Sequence, residues 1–204
     1  MEITTEQASE LANQVRQAHR LCVGFYQRLL PSLDNFGSAF QCKFKSWDPL
    51  HFNRPCIPST NPSQKYAWDF VPMVGAKFVY ANGEGESTEI GELILEIDVL
   101  LDGALDRDYR KNNNIKGQPD STSIPDAGSY LRVYLYRAPQ DLRKAMHELW
   151  KSCDLPEIGL NHFTSVGSGL EAIGIKFDLS DFLVSEDELI LNLKSLAGLL
   201  EVDP

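Results

Sequence analysis

The chain is expected to fold as an α+β protein, with an antiparallel-dominated sheet of about five to six strands packed by one long N-terminal helix and two helices in the C-terminal half. Two observations carry this expectation. A run of strand-like segments lies between a long helical stripe and two later ones. Around Leu93 to Leu101, apolar residues recur at every second position with no gap, the signature of a strand covered on one side. At 204 residues the chain is long enough to bury a core without disulfide or metal staples. No repeat, low-complexity tract or boundary divides it, so residues 1–204 read as a single α+β domain.

The first element is a helix over about residues 4–30. Thr4 and Gln7 form a capping box, and Ile3 can staple onto Ala8. Its stripe runs Ala8, Leu11, Ala12, Val15, Ala18, Cys22, Phe25, Tyr26 and Leu29, which is helical spacing. Pro31 is expected to stop it, because proline lacks the amide hydrogen that the helix needs. At a rise of ~1.5 Å per residue such a helix is about 40 Å long. Alternation follows, with Phe40, Cys42 and Phe44 on one face of a strand and Gln41, Lys43 and Lys45 on the other. A loop holding Pro49, Pro55, Pro58 and Pro62 is too proline-dense for regular structure. Residues 66–71 and 76–81 read as two strands interrupted around Pro72 and Gly75. Asn82-Gly83 is a turn signal.

In the strand after it, Leu93, Leu95, Ile97, Val99 and Leu101 share one face. Glu92, Glu96, Asp98 and Asp102 share the other with Ile94 and Leu100. Residues 103–128 carry almost no apolar content and are expected to form a flexible, disordered loop. A strand over 129–137 sets Leu131, Val133 and Leu135 against Tyr130, Arg132, Tyr134 and Tyr136. Pro139 suits the first turn of a helix, whose stripe is Leu142, Ala145, Met146, Leu149 and Trp150. Gly167-Ser168-Gly169 reads as a hairpin or connecting turn before a last strand over 170–179. The last helix opens with a capping box from Ser185 to Glu188, and Val184 can staple onto Leu189. Leu189, Leu193, Leu196 and Leu200 give its apolar face. The strand–helix–strand order near the C-terminus points to one parallel pair made by a right-handed crossover.

A formal net charge of −10 repels phosphate backbones and anionic headgroups and steers basic partners inward. Neither nucleic acid nor membrane is therefore an expected partner. The N-terminus has no basic and apolar leader, and no apolar run is long enough to span a bilayer. A cytoplasmic address is expected. Of the four cysteines, Cys22 and Cys42 read as buried reduced thiols. Cys56 stands in the proline-rich loop near His51, a thiol with a base nearby, but no family-type context surrounds the pair.

Strand geometry supplies the candidate site. If the aliphatic faces look inward, Glu92, Glu96, Asp98 and Asp102 share an outer surface with Tyr130, Arg132, Tyr134, Tyr136, Lys43 and Lys45. Tyrosine and arginine anchor interfaces, so this face is expected to recognise a protein partner, in particular a basic one. The expected function is that of a non-catalytic acidic binding protein, such as a neutralising partner, adaptor or chaperone. The alternative is a metal-dependent hydrolase or nuclease built on the four carboxylates, since hard cations want clustered oxygens.

Every other motif fails. His147-Glu148 begins a zinc-protease pattern, but residue 151 is lysine. His19, Cys22, His51 and Cys56 are too far apart and too unlike in context for a zinc set. Gly167-Ser168-Gly169 precedes a strand, and so is neither nucleophile elbow nor dinucleotide loop. Asp106 and Asp108 start a calcium loop that Arg110 ends. No catalytic residue, metal or cofactor is assigned.

Overall fold

A computed structural model describes residues 4–50, 75–105, 107–116 and 127–199. Among them lie helix α1 (Thr5–Ala39), strands β1 (Lys43–Pro49), β2 (Gly75–Ala81) and β3 (Leu93–Leu100), and helix α2 (Arg107–Asn112). Strand β4 (Tyr130–Arg137), helix α3 (Met146–Lys151), strands β5 (Thr164–Gly167) and β6 (Leu170–Asp178), and helices α4 (Leu179–Val184) and α5 (Glu186–Ala197) complete the set. The fold is α+β. The strand expected over 66–71, Cys56 and His51, and the end of the loop expected over 103–128 lie outside the described residues, wholly or in part.

The six strands form one sheet in the order β1-β2-β3-β4-β6-β5, and all neighbours are antiparallel. The expected parallel crossover is therefore wrong: β4 and β6 pair antiparallel, with Val133 opposite Ile175. The chain reverses in the β5–β6 hairpin, where Gly167, Ser168 and Gly169 all take positive φ, a conformation that glycine adopts without strain. The turn reading of those three residues holds.

Helix α1 starts as expected, with Thr4 Oγ1 accepting from the Gln7 amide at 3.2 Å and Gln7 Oε1 accepting from the Thr4 amide at 2.9 Å. It does not stop at Pro31, which lies inside a helix of 35 residues. Proline removes one helical hydrogen bond. Beyond it, however, Leu33, Phe36 and Phe40 bury themselves in the main core, and that burial outweighs the loss at roughly 1.5–3 kcal/mol per large side chain. The consequence is local. Phe40 becomes the helix C-cap, Gln41 takes a positive φ, and the first strand begins only at Lys43.

Leu95, Ile97, Leu131, Val133, Leu135 and Ile173 form the inner face of the sheet, covered by the C-terminal half of α1 and by α4 and α5. The N-terminal half of α1 projects beyond this body, with residues 14–24 exposed throughout. Cys22 is exposed with it rather than buried. Cys42 is buried, and burial pushes its thiol up to about 12.

Three further expectations are corrected. The helix after β4 begins at Met146, not near Pro139, because Leu142 exchanges backbone hydrogen bonds with Thr88 at 2.8 and 3.0 Å. Within the segment expected to be a flexible loop, Gly103–Leu105 forms a 3-10 turn and Arg107–Asn112 a short helix. The side chain of Asp102 caps that turn by accepting from the Ala104 amide at 2.9 Å. Finally, Ser185 makes no capping hydrogen bond at α5 and Val184 is exposed, because α4 runs directly into that helix. Ile190, Leu193 and Ala197 carry the buried face of α5, flanked by Leu189 and Leu196.

Two tests follow from this packing. A glycine inside a helix normally gains stability on replacement by alanine, but a Cβ at Gly37 would sit 2.5 Å from Tyr80 Cδ1. Gly37→Ala is expected to lower stability by about 1–3 kcal/mol in urea unfolding, whereas a gain would show that α1 and β2 are not packed this closely. At neutral pH a thiol alkylating reagent is expected to modify Cys22 before Cys42, read by peptide mapping, and the reverse order would contradict the projecting helix.

Candidate functional site

Strand register brings the candidate residues of β3 and β4 to one face. One cross-strand row runs Asp48, Lys77, Asp98, Arg132, Lys176 from β1 through β6, and the next runs Val79, Glu96, Tyr134, Gly174. A third holds Ala81, Ile94, Tyr136 and Ala172. The shared face expected for Glu96, Asp98, Arg132, Tyr134 and Tyr136 is therefore present. Its expected exposure is not.

Glu96 is 1% exposed and Asp98 4%, and Tyr130, Tyr134 and Tyr136 are buried. The cause is apolar content that this face carries alongside its charges. Val79, Ala81, Ile94, Tyr134, Tyr136 and Ala172 make a second core, onto which α3 packs Met146 and Leu149. The sheet is covered on both sides.

Burial dictates the partners. A carboxylate taken out of water is costly unless paired and hydrogen-bonded. Glu96 accepts from Trp150 Nε1 at 2.8 Å and forms an ion pair with the Lys77 ammonium. Asp98 pairs with Arg132 at 3.4 Å. The Lys176 ammonium lies 3.8 Å from the centre of the Tyr130 ring, a cation–π contact. Burial, aided by the Glu96 carboxylate, holds the Tyr136 phenol well above its ordinary range, so it stays protonated.

Glu92 and Asp102 stand apart from this cluster. Glu92 lies against Gly83, with its carboxyl raised by burial. Asp102 serves its own turn. Glu92 and Asp102 thus part from Glu96 and Asp98, and among the described residues no group of three or more His, Cys, Asp or Glu could hold a metal ion. Paired carboxylates with cationic partners suit structure better than general acid or base work. Sequence reasoning passed over Lys77 and read Trp150 only as part of an apolar stripe.

An accessible surface lies elsewhere. At the β1 edge, on the α1 side of the sheet, Leu30, Asp34, Phe44, Trp47, Phe78 and Tyr80 line an open groove of about 400 Å³. Phe78 and Tyr80 are its buried floor, while Phe44 and Trp47 are each 50% exposed. Phe44 stacks edge-on to Tyr80 at 5.7 Å between ring centres, and the Tyr80 hydroxyl donates to Asp34 at 2.9 Å. The register shift between Phe44 and Ser46 brings Trp47 to the same face as Phe44. Strict alternation would place it opposite, which is why sequence reasoning missed it.

The buried pair is testable. Lys77→Met is expected to cost about 2–3 kcal/mol in urea unfolding, less than the ~3–5 kcal/mol of a fully buried pair because the ammonium reaches water. Lys77→Met combined with Glu96→Leu is expected to recover most of that loss. An equal or larger loss in the double variant would mean the pair is not what holds this face.

No helix among the described residues is long and apolar enough to cross a membrane. No curated protein and no solved structure matches the chain. A family model described as PM0109 matches residues 5–191, a span that includes the buried charge row, the aromatic groove and the projecting part of α1. The chain belongs to the PM0109 family.

Proposed function

We propose that this protein is a non-catalytic binding protein that holds a basic protein partner against the aromatic groove at the β1 edge. The carrying observation is the half-exposure of Phe44 and Trp47 beside Asp34. Two large aromatic side chains in water, on a floor of buried rings, supply the contact area that interface anchors use. Asp34 adds one carboxylate to an otherwise apolar wall, so the groove suits an apolar side chain with a cation next to it. The net charge of −10 draws a basic protein in and adds salt dependence to its capture.

Two features support the same reading. Among the described residues strand β1 stands at the end of the sheet order, with β2 as its neighbour, and an edge strand is a template for backbone pairing by an incoming segment. The reading places the protein in the cytoplasm, where Cys22, Cys42 and Cys153 remain as thiols. It moves the contact surface away from Tyr130, Arg132, Tyr134, Tyr136, Glu92, Glu96, Asp98 and Asp102, most of which are engaged in packing the second face. A hydrolase reading lacks a set of three or more carboxylates gathered for a metal among the described residues.

The test is capture of native partners on the immobilised full chain at low and high ionic strength, repeated with Phe44→Ser/Trp47→Ser. Basic partners are expected at low salt, and the variant is expected to lose them while its stability falls by no more than about 1 kcal/mol, as for surface changes. An unchanged set of captured proteins in the variant would contradict the groove. Retention that ignores salt would contradict charge steering.

A further inference from the structure

Between α3 and the β1 edge, a cleft of about 420 Å³ opens on the second face, across the sheet from the aromatic groove. Val79 and Ala81 of β2 and Ile94 of β3 are its floor, and all three are buried. Met146 and Trp150 of α3 form a wall, while Ser46 of β1 lines it from the edge. The hollow follows from how α3 packs. Met146 and Leu149 dock beside Ile94, Tyr134 and Tyr136, and this helix of six residues leaves β1 uncovered. The volume lies at the small end of the ~300–1,000 Å³ of small-molecule sites, which pair apolar walls with a few placed polar groups.

The polar groups at the mouth are mostly cationic. Lys45, His147 and Lys151 line the cleft, with Glu84 as the acid beside them. Glu84 is already engaged: it pairs with Lys45 at 3.1 Å and with Lys43 at 4.0 Å. Those lysines hold its carboxyl below the usual range. Among the described residues, no acid pairs with the side chain of His147 or Lys151. These two stand four apart on α3, so they share one side of it. Glu96, the acid beneath α3, is closed off by Lys77 and by the Trp150 indole. The net charge of −10 repels anions at a distance. That field is screened beyond ~8 Å at physiological salt, so inside the mouth the adjacent cations dominate.

We infer that this cleft binds a small aromatic carboxylate, its ring against Met146 and Trp150 and its carboxylate at Lys151 and His147. A flat ring suits the wall, because an indole and a thioether both make favourable contacts with aromatic rings. The aliphatic floor of Val79, Ala81 and Ile94 accepts the ring without asking for a hydrogen bond. At the mouth the Lys151 ammonium and an imidazole N–H of His147 can each donate to a carboxylate oxygen, and hydrogen bonds to ions are the stronger kind. A cationic ligand would be repelled by Lys45 and Lys151, and a neutral one would leave Lys151 without a partner. The inference does not rest on the aromatic groove, which lies on the other side of the sheet.

Calorimetric titration of the full chain with benzoate and 2-naphthoate tests the site, with 2-naphthamide as the uncharged analogue. Saturable binding at one site is expected for at least one of the carboxylates, and the amide is expected to bind about tenfold more weakly than 2-naphthoate. His147→Gln/Lys151→Gln, at two exposed positions, is expected to weaken carboxylate binding by about tenfold or more and to leave the melting transition unchanged. Ser46→Phe, at an exposed strand position where an aromatic residue is well tolerated, is expected to fill the mouth and abolish binding. Phe44→Ser/Trp47→Ser, across the sheet, is expected to bind as the wild type does. No saturable binding of either carboxylate at millimolar concentration overturns the inference, including the case where another stretch of the same chain fills the cleft. Equal affinity for the amide overturns the role given to the cations, and so does wild-type binding by His147→Gln/Lys151→Gln. Binding that survives Ser46→Phe, or that is lost in Phe44→Ser/Trp47→Ser, puts the ligand elsewhere and overturns the assignment.

Discussion

One buried carboxylate governs how the second face of this sheet is closed. Glu96 sits in β3, and its two oxygens are taken by Lys77 of β2 and by the indole of Trp150 of α3. The effective penalty for removing such a charge from water is several kcal/mol, offset only when good geometry supplies partners. The side chain therefore ties β2, β3 and α3 together: move α3 away and the carboxylate loses one partner and its cover. Met146 and Leu149 add the non-directional part of the same docking, while the hydrogen bond from Trp150 sets where α3 comes to rest.

Closing that face decides which aromatic and apolar side chains are left in water. The charges and tyrosines in the middle of the sheet hold the fold, and exposed apolar side chains are left to its margins. Both margins owe their character to α1. Its C-terminal half passes over the inner face but leaves β1 partly bare, which opens the groove beside Phe44 and Trp47. Its N-terminal half overshoots the body and leaves Leu11 and Val15 exposed. The passage of the helix through Pro31 links the two, since Leu33, Phe36 and Phe40 beyond it anchor the projecting helix.

Much of the fold was legible because period-two alternation in 93–101 and 129–137 and the capping box at Thr4 depend on local chemistry alone. The shared face of Glu96, Asp98, Arg132 and the tyrosines was legible for the same reason. Its burial was not, although the sign was present: Ile94 and Leu100 stand among the acids, and Val79 and Ala81 follow Lys77 on the same side. Apolar residues on both faces mark a strand covered twice, and that pattern is spread over three strands whose adjacency no single segment reveals. Pro31 misled for a comparable reason. A local helix breaker was overridden by burial of side chains further along. Trp47 escaped notice because one register shift in β1 moves it to the face opposite the one strict alternation assigns.

The most direct measurement is a double-mutant cycle in urea unfolding, with Glu96→Gln and Trp150→Phe made singly and together. If the carboxylate holds α3 against the sheet, the two changes are coupled by about 1–3 kcal/mol, as expected of groups sharing a buried hydrogen bond. Effects that add to within ~0.5 kcal/mol would mean that Glu96 and Trp150 do not meet, and that the second face is closed in some other way.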